Sequence, residues 1–240
     1  MRKIAEILGV PFDVMTMNDA TDTIIGFFDD GKKHIVCTPN PEIVMEAQQD
    51  KQLMQILKAA DLVVADGVGV VWASKYCAHK LPERVSGYDL AQKLFAKMEK
   101  KGNSVYFFGG DPGTSSVAAK KIKKLFPELN IVGYRNGYFS AEDERKIISE
   151  IKALEPDLLL VGLGSPKQEK WIYENLRIMG VKVAIGVGGS FDVMSGKVKR
   201  APIIFRKLGL EWFYRLVSQP KRAKRMLKLP KFVLKVLISK

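Results

Sequence analysis

A chain of 240 residues and 26.9 kDa holds one large domain, or one domain with an appendage, and its 47% hydrophobic content at a mean hydropathy of −0.03 excludes disorder as the main state. Two cysteines, Cys37 and Cys77, exclude a disulfide scaffold and a Cys-based zinc cluster and point to a reducing compartment. The net charge of +13 is not spread evenly: residues 1–195 carry 25 basic and 25 acidic side chains, whereas residues 196–240 carry 14 basic ones and the single acid Glu211.

The first residues, MRKIAEILGVPFD, lack the apolar stretch of a signal peptide, and no run approaches the roughly 20 apolar residues that span a bilayer. A cytoplasmic, soluble-type chain is therefore expected. Residues 5–30 read as a small strand-and-helix addition. Six apolar runs then read as strands: HIVC (34–37), DLVVA (61–65), SVYFFG (104–109), NIVGY (130–134), DLLLVGLG (157–164) and VKVAIGVG (181–188). Most lack strict polar alternation, as strands covered on both faces do. Between them lie helical stretches: one opening at Asn40-Pro41-Glu42, then 87–100, 114–125, 141–154 and 166–178. Alternating strand and helix implies an α/β fold, a doubly wound, mostly parallel sheet whose ligand site lies at the carboxyl ends of the strands. The composition shifts near 195–201, which divides a core of 1–195 from an appendage of 196–240.

That appendage is basic, apolar and aromatic at once, the composition of a segment lying on an anionic membrane surface. A helix pair packed on its own domain fits the composition equally well. Pro220 and Pro230 cut it into pieces too short to span. A nucleic-acid tail would be basic without so much Leu, Val and Ile, so no nucleic-acid partner is expected.

Five of the six strands run into Gly- and polar-rich turns that open helices: Thr38-Pro39-Asn40, Asp66-Gly67, Gly109-Gly110-Asp111-Pro112, Gly164-Ser165-Pro166-Lys167-Gln168-Glu169 and Gly188-Gly189-Ser190-Phe191-Asp192. Backbone N–H groups and helix dipoles favour anions at such places. Any one turn is ordinary punctuation; five on one sheet edge point to a nucleotide- or phosphate-bearing ligand. Neither a dinucleotide fingerprint nor a Gly-Lys-Ser/Thr sequence is present, which disfavours a hydride-transfer enzyme. Asp66 ends an apolar strand and is positioned as a base in the crevice, with simple helix capping as the competing reading. Arg84 suits a diphosphate, against an exposed pair with Glu83 or another acid. Thr38 and Gln168 suit sugar hydroxyls, against helix capping. No Asp-x-Asp occurs, and His34 and His79 read as lying far from any carboxylate or cysteine cluster, so neither a metal nor a cofactor is expected.

In their order, TPNPEI (38–43), ADGVGVVW (65–72), ERVSGYDL (83–90), FFGGDPGT (107–114), GLGSPKQEKW (162–171) and GVGGSFDVMSGKVKRAP (186–202) resemble the WecG/TagA/CpsF glycosyltransferase family, and 205–222 resembles its C-terminal appendage. The resemblance implies a Rossmann-like, metal-independent, inverting transferase. It would move N-acetylmannosamine from a UDP-sugar donor to the 4-hydroxyl of N-acetylglucosamine on a polyprenyl diphosphate, forming the linkage lipid of wall teichoic acid at the inner face of the cell membrane. It implies Asp66 as base, Thr38, Asn40 and Gln168 at the sugar or orienting the reacting groups, and Arg84 at the diphosphate. Arg215, Arg222 and Arg225 would meet phosphates. Gly109, Gly110, Pro112, Gly164, Lys167, Glu169 and Asp192 complete the expected binding set. Transfer of the corresponding uronic acid or of another sugar keeps the same fold. A non-catalytic nucleotide-binding module with a lipid- or nucleic-acid-binding tail is the reading from another class. The apolar tail is also compatible with a homo-oligomer in solution.

Overall fold

The computed structural model describes residues 2–218 and 227–239. Alternating burial along the first strands builds an antiparallel hairpin, β1 (Ile4–Ile7) and β2 (Val10–Asp13), in which Ala5, Ile7, Val10 and Phe12 face the core. The hairpin is tied to the body through Asp13, whose carboxylate accepts from the Val63 N–H at 2.8 Å and is paired with Arg2. Helix α1 (Met17–Phe27) follows, opened by a capping box between Thr16 and Asp19.

The body contains β3 (His34–Cys37), α2 (Pro41–Ala47), α3 (Lys51–Ala59), β4 (Leu62–Val63), α4 (Val68–Ala73), α5 (Gly87–Lys101), β5 (Ser104–Gly109), α6 (Thr114–Leu125), β6 (Asn130–Arg135), α7 (Ala141–Leu154), β7 (Leu158–Gly162), α8 (Lys167–Asn175), β8 (Val183–Gly186) and α9 (Ser190–Met194). Its six strands form one parallel sheet in the order β4-β3-β8-β7-β5-β6. Side chains alternate between two covered faces. Val105 and Phe107 pack with α1, α5, α6 and α9, while Tyr106 and Phe108 pack with α7 and α8. Helices α2, α3 and α4 and the hairpin enclose a further apolar cluster beside β3 and β4. This is the expected Rossmann-like α/β architecture.

The ends of β4, β7 and β8 depart from the ladder earlier than the apolar runs alone suggest. Their last residues turn into the loops that form the cleft: Val64 still donates to Cys37 O (2.9 Å), and Asp66 N–H reaches Pro39 O (3.2 Å). At the opposite, amino end of β3, His34 is not remote from carboxylates. It stacks on Phe27 and lies 2.9 Å from Asp30 and 3.4 Å from Asp61, because pairing of β3 with β4 brings the 61 turn alongside it. Among the described residues, no three His, Cys, Asp or Glu side chains gather so as to hold a metal. Cys37 is buried and Cys77 partly so, both as free thiols.

The C-terminal residues add α10 (Ile203–Lys207), α11 (Glu211–Ser218) and α12 (Lys228–Ile238). Pro230 does not interrupt α12; it sits in the first turn, where its missing N–H would have had no intrahelical acceptor. Phe232 and Val236 bury themselves against the α2 and α4 cluster, so α12 packs on the body. Ile203, Ile204, Leu208, Leu234 and Ile238 remain exposed. No helix among the described residues is long and apolar enough to cross a membrane.

Candidate active site

A cleft of about 290 Å³ opens where four neighbouring strands, β4, β3, β8 and β7, end. Its wall takes Asp66 to Gly69 from the end of β4, Thr38 to Ile43 from β3, Val187 to Ser190 from β8, and Gly164, Ser165 and Gln168 from β7. Arg84, Ser86, Tyr88 and Arg200 close one side; Glu211, Trp212, Lys228 and Leu229 of the C-terminal helices close another.

Each proposed side chain is held by its local backbone. Asp66 is partly buried at the end of an apolar strand, and Gly67 after it takes φ 112°, a conformation that glycine adopts without strain. Gly67, not Asp66, is the N-cap of α4, so the capping reading of Asp66 does not apply. The Val85 N–H donates to Ala65 O at 2.8 Å, which stitches the Arg84 loop to the Asp66 strand. Arg84 is mostly buried and donates through Nη1 to Glu211 Oε2 at 2.9 Å, with Asp89 at 3.5 Å. Glu83 instead accepts the Met17 N–H, and Arg84 pairs with another acid, Glu211 of the C-terminal helix, in a mostly buried contact where the alternative reading had an exposed one. Burial by itself would lower the Arg84 pKa, but Asp66, Glu211 and Asp89 together outweigh it and hold the guanidinium more firmly protonated than usual.

Thr38 and Gln168 do not cap helices. Thr38 Oγ1 donates to Gly186 O (3.2 Å), while the N-cap of α8 is Pro166, with no side-chain cap. Gln168 accepts from Gly188 N–H through Oε1 (3.0 Å) and donates from Nε2 to Glu169 Oε1 (2.8 Å). A Cβ on Gly186 would sit 2.6 Å from Gln168 Nε2, so that glycine makes room for the amide. Asn40 spends its Oδ1 on capping α2, accepting from Ile43 N–H at 3.0 Å.

Of the expected residues, Thr38, Asn40, Asp66, Arg84, Gly164 and Gln168 line this one cleft. Gly109, Gly110, Pro112, Lys167, Glu169 and Asp192 do not. The Gly109–Gly110 turn ends β5, which lies beyond β7 from the cleft; a Cβ on Gly109 would fall 2.4 Å from Gly162 O, so this glycine serves a close backbone approach. Lys167 is exposed, with its ammonium over the Phe139 ring at 4.4 Å. Glu169 is buried behind Gln168, and burial pushes its carboxyl above the ordinary 4.5. The Asp192 backbone carbonyl accepts from Ser195 and Val198. Arg215 belongs to α11, and Arg222 and Arg225 lie outside the described residues. Sequence reasoning did not single out Tyr88, Arg200, Glu46, Glu211, Trp212 or Lys228. Only tertiary contact brings these to the cleft, although Tyr88 and Arg200 lie inside two of the quoted motifs.

Chemically, the cleft offers a carboxylate beside a firmly charged guanidinium, ringed by strand-end backbone and neutral amide and hydroxyl groups. That suits a base acting next to a departing phosphate. The sequence model described as glycosyl transferase WecG/TagA/CpsF family matches residues 5–240. The chain is 41% identical over 211 residues to the N-acetylglucosaminyldiphosphoundecaprenol N-acetyl-beta-D-mannosaminyltransferase of Bacillus spizizenii, covering 88% of this chain and 81% of that one. The protein of the same name from Bacillus subtilis is 38% identical over 203 residues, covering 85% and 78%. That from Staphylococcus aureus is 35% identical over 237 residues, covering 98% and 92%. The chain therefore belongs to the WecG/TagA/CpsF family of glycosyltransferases.

Proposed function

We propose that the chain transfers N-acetylmannosamine from UDP-N-acetylmannosamine to the 4-hydroxyl of N-acetylglucosamine carried on undecaprenyl diphosphate, with inversion at the anomeric carbon. The observation that carries this reading is the placing of Asp66 and Arg84 in one cleft, in a chain whose relatives bear the name of that reaction. Asp66 takes the proton from the acceptor hydroxyl as its oxygen bonds to the anomeric carbon. The bond from that carbon to the phosphate oxygen breaks, and UDP leaves with the electron pair. Inversion needs no protein nucleophile, so one carboxylate suffices. The charge gathering on the leaving diphosphate falls to Arg84 and to the appendage arginines Arg215, Arg222 and Arg225, without a metal ion. Thr38, Asn40 and Gln168 fix the wall against which the donor sugar lies.

Residues 1–195 act in this reading as the catalytic core and 196–240 as an appendage that completes the cleft and rests on the membrane. Support comes from Glu211, Trp212, Lys228 and Leu229 in the cleft wall and from the exposed Ile203, Ile204, Leu208 and Ile238 on the same segment. The test is UDP release by the purified chain, measured over a panel of UDP-N-acetylmannosamine, UDP-N-acetylglucosamine, UDP-N-acetylmannosaminuronic acid and UDP-glucose, with and without a synthetic N-acetylglucosamine-diphosphate lipid. Acceptor-dependent turnover with the first donor, giving a β-linked product by NMR, is the expected result. Binding without turnover, or preference for another donor, would overturn the assignment.

A further inference from the structure

Arg200 lies four residues past Gly196, near the end of the last quoted motif, in a segment with no regular secondary structure, yet its guanidinium is held on two sides. Its Nη2 donates to both oxygens of Asp89, at 2.6 and 2.5 Å. Its carbon centre stands 4.4 Å from the centroid of the Tyr88 ring. Asp89 is in turn fixed at the first turn of α5, where Oδ2 accepts from Ser86 Oγ at 2.7 Å, and it faces Arg84 Nη2 at 3.5 Å. One carboxylate thus splints two guanidiniums, both of which line the cleft beside Asp66.

A guanidinium has five N–H donors. Among the described residues, Arg200 engages only those of Nη2, and its Nε and Nη1 make no hydrogen bond. A surface arginine serving only as a clasp has no need of an aromatic platform or of a place in a cleft wall. An arginine stacked on a ring and gripped at one end has lost most of its rotamer freedom before a ligand arrives, which is what a rigid fork for a planar anion requires. The positive N-terminal end of α5, a helix of 15 residues, lies at the same corner.

We infer that Arg200, splinted by Asp89 and Tyr88 beside Arg84, is a second guanidinium of a diphosphate-binding site, contacting the phosphates directly, with Asp89 as the positioning residue of the pair. The identity of the diphosphate, donor nucleotide or lipid-linked acceptor, rests on the transferase reading above; the anion site itself does not. The firm protonation of Arg84 and the lowered pKa of Asp89, which persists against burial because Arg200, Ser86 and Arg84 stabilise its charge, agree with this arrangement.

The experiment compares the full chain with Arg200→Gln, Arg200→Lys and Asp89→Asn, using titration with inorganic diphosphate, UDP and uridine, KM for the lipid acceptor at saturating donor, and thermal unfolding. Arg200→Gln is expected to weaken inorganic diphosphate about 10- to 100-fold, the range for charge-assisted hydrogen bonds, and to leave uridine within twofold. A matching loss for UDP assigns the site to the donor; a rise in acceptor KM with UDP unchanged assigns it to the lipid. Arg200→Lys keeps the charge without the fork and should fall between, and it serves as the test if the Gln variant does not fold. Asp89→Asn should weaken diphosphate less than Arg200→Gln does. Diphosphate affinity within twofold of the parent in Arg200→Gln, or equal loss of diphosphate and uridine, would overturn the inference. A parent chain that binds diphosphate through Arg200 yet transfers no sugar would instead sink the transferase reading alone.

Discussion

Replacing Asp66 by Asn separates two effects that the cleft places in opposition. The substitution keeps the size of the side chain and removes both its basicity and its charge. A positioned base contributes about 10²–10⁴ in rate, which corresponds to about 2.7–5.4 kcal/mol of barrier. The charge acts the other way on binding, because Asp66 is close enough to Arg84 to strengthen the hold on that proton. A phosphate drawn to Arg84 therefore meets repulsion from Asp66. At an effective dielectric of about 20, a pair of unit charges about 7 Å apart repels by about 2 kcal/mol before solvent screening, which sets the scale of the effect. The Asn variant is thus expected to lose about 10²–10⁴ in kcat while binding UDP as tightly as the parent or more tightly. Initial rates with UDP-N-acetylmannosamine and a short-chain lipid acceptor, beside calorimetric UDP binding, read the two effects apart. A kcat loss below tenfold removes Asp66 from the role of base. A weakening of UDP in proportion to the rate would show instead that Asp66 holds the site together.

Two further outcomes follow from buried groups. Glu169 has its carboxyl pKa raised by burial, only partly offset by hydrogen bonds that include the one from Gln168. A raised folded-state value means that this carboxyl contributes most below its ordinary 4.5 and that stability declines as pH rises through the higher, folded value. Glu169→Gln, which can still accept from Gln168, should therefore match the parent in urea unfolding near pH 4 and exceed it at pH 7; a less stable variant at pH 7 contradicts this. Phe232, 1% exposed, anchors α12 against the cluster of α2 and α4, so Phe232→Ala should cost about 3–5 kcal/mol where α12 stays docked. Where it does not, the C-terminal helices should become the first target of limited proteolysis, and an unchanged cleavage pattern with unchanged unfolding would show that this packing is unimportant.

The sheet was legible in the sequence because all six strands are apolar runs flanked by helical patterns, and burial on both faces of inner strands such as β5, β7 and β8 leaves that signature directly in the residue order. Thr38, Asp66 and Gln168 were legible for a related reason: each follows such a run where the chain must turn sharply. What local pattern does not contain is the order of strands in space. The turn after β5 looks as capable of holding phosphate as those after β4 and β7, yet β5 lies one strand further from the cleft, and Gly109 serves the close approach to Gly162. The same limit hid one of the two carboxylates beside His34, Asp61, which comes from 27 positions later across the β3–β4 pairing. Arg200 and Glu211 were unreadable because each acquires meaning only from a partner, Asp89 or Arg84, more than 100 positions away.

The charge split acquires a structural sense from the same contacts. In a tail with 14 cations and one acid, the nearest partners in sequence for that acid are the tail's own cations. Instead Glu211, 8% exposed, reaches the body's Arg84. The lone anion of the appendage thereby lies against the cation assigned to the leaving diphosphate, and it has further partners beyond Arg84. Such a contact is self-consistent only if it is exchangeable: a carboxylate and a phosphate compete for one guanidinium, and a diphosphate with two charged groups and more acceptor oxygens wins that competition where other cations stand nearby. Arg200 is a cation fixed in the described cleft, and Lys228, 3.5 Å from Glu46, also lines it. Binding of the donor on this reading transfers Arg84 from an internal anion to an external one. It thereby leaves Glu211 to its remaining partners.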